Sequence, residues 1–251
     1  MNTTLTALIV FGCLIAAVLV GRAIRSLLPD EHVTSDSRDA IKLAMGLVAT
    51  MSALVLGLLV SSAKGSYDTQ RTEVIQMAAK ITFLGRLLDA YGPEASGVRS
   101  QLRDTVDASI QKMWPGQMRR PVDRNPDVAA GNLAYAALQQ LSPQNNMQTA
   151  IKSQAASMAL DLAQTRSLLA AQSVPSVSHA MLAILVLWLV VIFLGFSVLA
   201  PPNVTSLLAL IVSALAVSGA IFLILELDEP FGGLIGISSE PMLNALHQLA
   251  H

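Results

Sequence analysis

Charge, aromatic side chains and cysteine are all scarce in this chain. Asp, Glu, Lys and Arg make up 13% of its 251 residues, where a soluble domain carries about 25%. The deficit is uneven, because four long runs contain none of the four charged residue types. The formal net charge is −1, so no basic field invites nucleic acid. Cys13 is the only cysteine, which excludes an intramolecular disulfide and removes any cysteine-based zinc site. It lies within an apolar run, where a thiol packs as a small apolar group. His32, His179, His247 and His251 are widely scattered. No phosphate-cradling glycine loop before a Lys-Ser or Lys-Thr pair, no His-Glu-x-x-His and no nucleophile elbow is present. The chain is therefore expected not to be an enzyme.

What is present is apolar length. The runs cover 5–21, 43–62, 180–200 and 204–225, each about what a hydrocarbon core roughly 30 Å thick requires. Between Lys64 and His179 the character changes, and twelve of the sixteen Lys and Arg residues lie there. The expected fold is all-α: four transmembrane helices with an extramembrane helical bundle inserted between spans two and three. Residues 1–62 hold spans one and two with a short basic loop, 63–179 the bundle, and 180–225 a transmembrane hairpin. Residues 226–251 form an acidic, glycine-rich turn and a short C-terminal helix.

The first run has no Lys or Arg before it, and Arg22 and Arg25 follow it. That order is the reverse of a cleaved signal and suits an anchor. Four spans put both termini and the bundle on one side. Arg22, Arg25, Arg38 and Lys42 crowd the first loop, while the N-terminal tail and the residues after Leu225 carry no Lys or Arg. The positive-inside rule then makes that loop cytoplasmic and the bundle periplasmic in a bacterial inner membrane. Adding Lys64, Arg71, Lys80 and Arg166, which also lie near span ends, gives four against four. The assignment thus rests on weighting short loops.

In the second run, small residues recur every fourth position: Ala49, Ala53, Gly57, Ser61 and Gly65. At 3.6 residues per turn they form one stripe. In lipid, such a stripe lets helix backbones approach closely. With Thr50, Ser52, Ser61 and Ser62 nearby it is equally the kind of face that lines a pore. Ala49, Thr50, Ala53, Gly57 and Ser61 are the candidates for this packing or pore face. Beyond Ser62, Val74, Met77, Ile81, Leu84, Leu88 and Tyr91 follow at alternating spacings of 3 and 4, an a/d seam. The second span is therefore expected to run on as one helix to Tyr91. Gly92-Pro93 stops it, and helices are expected over 93–113, 127–141, 144–172 and 241–250. Asn125-Pro126 and Ser142-Pro143 serve as start signals, and Gln117 to Arg124 is a basic, solvated loop.

The end of the fourth run is acidic: Glu226, Asp228 and Glu229, followed by Pro230-Phe231-Gly232-Gly233. Carboxylates and loop carbonyls suit calcium, and an acidic ring suits a pore mouth. A structural anchor, with Asp228 or Glu229 paired to a basic residue such as Lys64 at the same membrane face, explains the same residues. Leu227-Asp228-Glu229-Pro230-Phe231-Gly232-Gly233, with Ile237-Ser238, Pro241-Met242 and Ser62-Ala63-Lys64-Gly65-Ser66-Tyr67-Asp68, resembles the bestrophin-like family of bacterial membrane proteins. Glu226, Asp228, Glu229, Pro230, Phe231 and Gly233 are the signature and the candidate cation site. The resemblance covers essentially the whole chain. It implies an oligomer with four spans per subunit and an anion channel, with no cofactor beyond a calcium ion that the acidic trio could hold. Partners are then the lipid bilayer, further copies of the chain, and ions. The chain lacks the aromatic neck and the long acidic calcium clasp of bestrophins, which also keep their helical domain cytoplasmic. The alternative is a non-conducting scaffold or sensor whose bundle binds a partner.

Overall fold

A computed structural model describes residues 3–27, 35–115, 129–171, 178–201 and 203–250, without the side chains of 35–38, 129–134 and 179. The described residues are mostly helical, with no strand among them. The helices are α1 (Thr3–Leu27), α2 (Ser35–Tyr91), α3 (Ser96–Met113), α4 (Ala129–Gln140), α5 (Asn146–Ala171), α6 (His179–Leu199), α7 (Val204–Asp228) and α8 (Glu240–Gln248). Four of them, α1, α2, α6 and α7, are long and apolar enough to cross a membrane. The chain divides into two compact units, 1–67 with 175–235 and 68–174 with 236–251.

The first unit is made of α1, the beginning of α2, α6 and α7. Its core interlocks Leu14 and Val18 of α1, Leu59 and Ala63 of α2, Leu185 and Phe193 of α6, and Ala214 and Ile221 of α7. Lipid offers little hydrophobic drive for one apolar helix to leave it for another, so close approach must hold such helices together. Gly21 shows how this is done. A Cβ there would lie 2.7 Å from both the Leu194 carbonyl oxygen and Ser197 Cβ. Beside it, the buried Ser197 hydroxyl donates to the Val18 carbonyl at 2.6 Å, locking α6 onto α1. Asn203 caps α7, its Oδ1 accepting the Ser206 N–H at 2.9 Å. Its carbonyl accepts from Arg22 at 3.0 Å.

The second unit comprises the rest of α2 with α3, α4, α5 and α8. The expected seam holds: Val74, Met77, Ile81, Leu84, Leu88 and Tyr91 are all buried. Val98, Leu102, Val106 and Ile110 of α3, Leu138 of α4, and Ile151, Ala155 and Leu169 of α5 are buried in the same unit. Polar ties fix the neighbours. Lys80 donates to Thr165 and pairs with Asp161, both at 2.9 Å. The Trp114 indole N–H donates to the Ile237 carbonyl at 2.7 Å. Gly92 ends α2 at φ 121°, a backbone region that L side chains rarely adopt, and Pro93 opens the short 3₁₀ turn that leads into α3.

One start signal differs from expectation. Helix α5 begins at Asn146, with Asn145 as its cap: Asn145 Oδ1 accepts the Gln148 N–H at 2.7 Å, and Ser142-Pro143 stays outside. Met147 falls in that first turn and is 68% exposed. Asn125-Pro126-Asp127 and the basic loop from Gln117 to Arg124 lie outside the described residues.

Candidate functional site

The signature residues build a cap at the end of α7. Glu226 points back into the first unit and is only 2% exposed. Its Oε1 accepts the Thr3 hydroxyl at 2.6 Å, and its Oε2 accepts the Leu234 backbone N–H at 2.6 Å. The chain can return to Glu226 so quickly because α7 closes in a tight turn. The Glu229 N–H donates to the Glu226 carbonyl at 3.3 Å, and the Gly232 N–H to the Glu229 carbonyl at 3.1 Å. Gly233 completes it at φ 72°, and any Cβ there would collide with Glu226 Oε2. Two needs thus select glycine at this position: the left-handed backbone and the space taken by a carboxylate.

The other signature carboxylates are arranged differently. Asp228 is half-buried and Glu229 is exposed, while Pro230 and Phe231 are half-buried. Both oxygens of Glu226 are engaged by protein donors. Among the described residues, no three of His, Cys, Asp and Glu gather where they could hold a metal ion. Of the trio, then, Glu226 is an anchor, held by a hydroxyl and a backbone N–H. Lys64 Nζ lies 5.2 Å from the centre of the Tyr67 ring, a cation–π placement. Thr3 and Leu234 were missed from sequence. Thr3 lies 223 residues from Glu226, and no local pattern joins them.

The candidate face on α2 is uncovered within the first unit. Met45, Ser52, Leu59 and Ala63 turn inward and are buried. Thr50, Ala53, Gly57 and Ser61 are exposed, and Ala49 is partly so. A Cβ on Gly57 would meet nothing within 4 Å. The small stripe therefore lies roughly a third of a turn round from the buried face. Leu47, Leu54 and Leu58, 63%, 75% and 61% exposed, extend the uncovered surface beyond it. Only 17% of the most apolar window of this span is buried, against 33% for α1 and α6. Close packing, as the stripe predicts, has no partner inside the unit among the described residues.

The Bestrophin-like domain profile matches residues 11–242, nearly the whole chain. The chain belongs to the Bestrophin-like family. With four helices fit to span a bilayer, it is a membrane protein. Crystal structures of a bacterial Bestrophin homolog from Klebsiella pneumoniae are similar throughout. One superposes with a TM-score of 0.72 at 13% identity, covering 99% of this chain and 97% of that one. A second gives 0.69 at 14% identity, covering 99% and 98%. A third, phased with zinc, gives 0.66 at 14%, covering 94% and 96%. At such identities the likeness is one of fold. No curated protein matches this Bestrophin-like sequence.

Proposed function

We propose that this Bestrophin-like chain is one subunit of an oligomeric anion channel in the bacterial inner membrane, and not an enzyme. The observation that carries the proposal is the uncovered α2 stripe. A helix with Thr50, Ala53, Gly57 and Ser61 on an open face, in a family of membrane proteins, has its missing neighbour in another copy of the chain. Around a symmetry axis, this face serves as both contact and lining. Its hydroxyls supply the polar groups that an ion path through apolar spans needs. Residues 68–174 then form the extramembrane bundle between spans two and three, on the periplasmic side by the short-loop charge count. The Glu226 cap fixes the end of α7 near that surface, and calcium has no part in holding it.

The test is conductance of the purified protein in planar bilayers, beside its mass in native-like lipid discs. A multiple of the 26.5 kDa chain and a chloride current altered by Thr50→Leu or Ser61→Leu are expected. Silence across ion types in an intact oligomer would replace the channel with the scaffold. A monomer would remove both the lining and the interface.

A further inference from the structure

A cavity of about 250 Å³ lies within the second unit, bordered by α2, α3, α4, α5 and α8. It has a chemical direction. The Gln148 side chain at the start of α5 donates to the Tyr91 carbonyl at 2.9 Å, and α3 begins just after Gly92, so both helices start beside the end of α2. At 1.5 Å per residue, Lys112 lies about 24 Å along α3 and Arg166 about 30 Å along α5, near the opposite end. Leu88, Val98 and Leu102 line the end close to Tyr91, whereas Ser109, Lys112 and Arg166 line the other. Among the described residues that line it there is no Asp or Glu.

Among the described residues, neither Lys112 nor Arg166 is hydrogen-bonded or ion-paired. Asp161, the only acid in α5, is already held by Lys80. Interiors pack to near-crystalline density, so an apolar space of this size is a lost opportunity for dispersion contacts unless something fills it. Lys112 is exposed and Arg166 half-buried, so both present positive charge at the open end of the apolar space, where an anionic head group gains charge-assisted hydrogen bonds. A guanidinium matches the planar or trigonal oxygens of a carboxylate or phosphate. The volume is below the roughly 300–1,000 Å³ of drug-sized pockets, which admits a single alkyl chain and not two.

We propose that this cavity binds a single-chain anionic amphiphile, its tail toward Leu88, Val98 and Leu102 and its head group at Lys112 and Arg166. The site is independent of ion conduction and would operate in a channel or a scaffold alike.

The full-length protein in lipid nanodiscs is irradiated with a diazirine-bearing decanoic acid, and labelled peptides are mapped by mass spectrometry. Labelling is expected on the peptides that carry Leu102 and Leu162. Decanoate and decyl phosphate should compete, the stronger of the two identifying the head group, while decyltrimethylammonium should not. Lys112→Gln with Arg166→Gln removes both charges from the lining without changing a buried core residue, and should weaken labelling about tenfold. Ala159→Phe, which fills the cavity from α5, should abolish it with both cations in place. Labelling confined to the spans, or labelling that the cationic amphiphile displaces equally well and that charge removal leaves unchanged, overturns the proposal.

Discussion

Replacing Gly233 by alanine tests the cap at the end of α7, because one methyl group should disturb two things at once. The first is backbone: at φ 72° an alanine sits in the left-handed region, at a cost of about 1–3 kcal/mol. The second is contact. The new Cβ overlaps Glu226 Oε2, so the carboxylate must withdraw from the Leu234 N–H it accepts at 2.6 Å. Losing one charge-assisted hydrogen bond costs about 1.5–3 kcal/mol. The sum is roughly 2.5–6 kcal/mol, a fall of about 5–24 °C in melting temperature for a chain of this length. Gly232→Ala, one residue away with open space around it and no positive φ, is the control and should change stability by less than about 1 kcal/mol. The two effects separate in Glu226→Ala. With the carboxylate gone, Gly233→Ala should retain only its backbone cost, so the double substitution should be milder than the sum of the singles by about 1 kcal/mol or more. The assay is loss of the monodisperse peak after heating in detergent. If Gly233→Ala melts like Gly232→Ala, or if the two single costs simply add, the cap does not work as described.

The remaining predictions address other parts of the chain. Gly21→Ala should destabilise by about 2–4 kcal/mol, since its Cβ meets backbone that cannot yield; Gly12→Ala, with nothing within 4 Å, should be near neutral in the same melting assay. Trp114→Phe leaves the buried Ile237 carbonyl without its donor and should cost about 1–3 kcal/mol; hydrogen exchange of α8 should accelerate. Calcium should leave the melting temperature unchanged, because Glu226 is already engaged; a calcium-dependent rise lost in Asp228→Asn would restore a metal role. Alkaline phosphatase fused after Gly116 should be active, and an inactive fusion would invert the membrane orientation.

Much of the architecture was legible because it is written in short-range pattern. The unbroken apolar runs became α1, the first part of α2, α6 and α7. Spacings of three and four from Val74 to Tyr91 marked the buried side of a helix before any partner was known. Gly92-Pro93 was legible as a stop because glycine's backbone freedom and proline's missing N–H act on the chain locally. Where two local signals competed, the sequence misled: Ser142-Pro143 looked like the start of α5, but Asn145 holds the cap. Both are good N-terminal residues, and only the path of the backbone chooses between them.

The candidate site was half legible for the same reason. Glu226 through Gly233 stood out as an acidic, glycine-rich turn, and the small residues of α2 stood out as a stripe. By itself, the sequence determined that this chain consists of helices suited to lipid and of a polar, helix-forming stretch between two pairs of them. Tertiary structure alone decided that Glu226 is tied to Thr3 and Leu234, that the stripe on α2 finds no neighbour in its own unit, and that Lys112 and Arg166 share a cavity with leucines. Periodicity reports which side of a helix is apolar. It carries no information on what that side meets, since contacts between residues far apart in the chain depend on how the helices are placed in space.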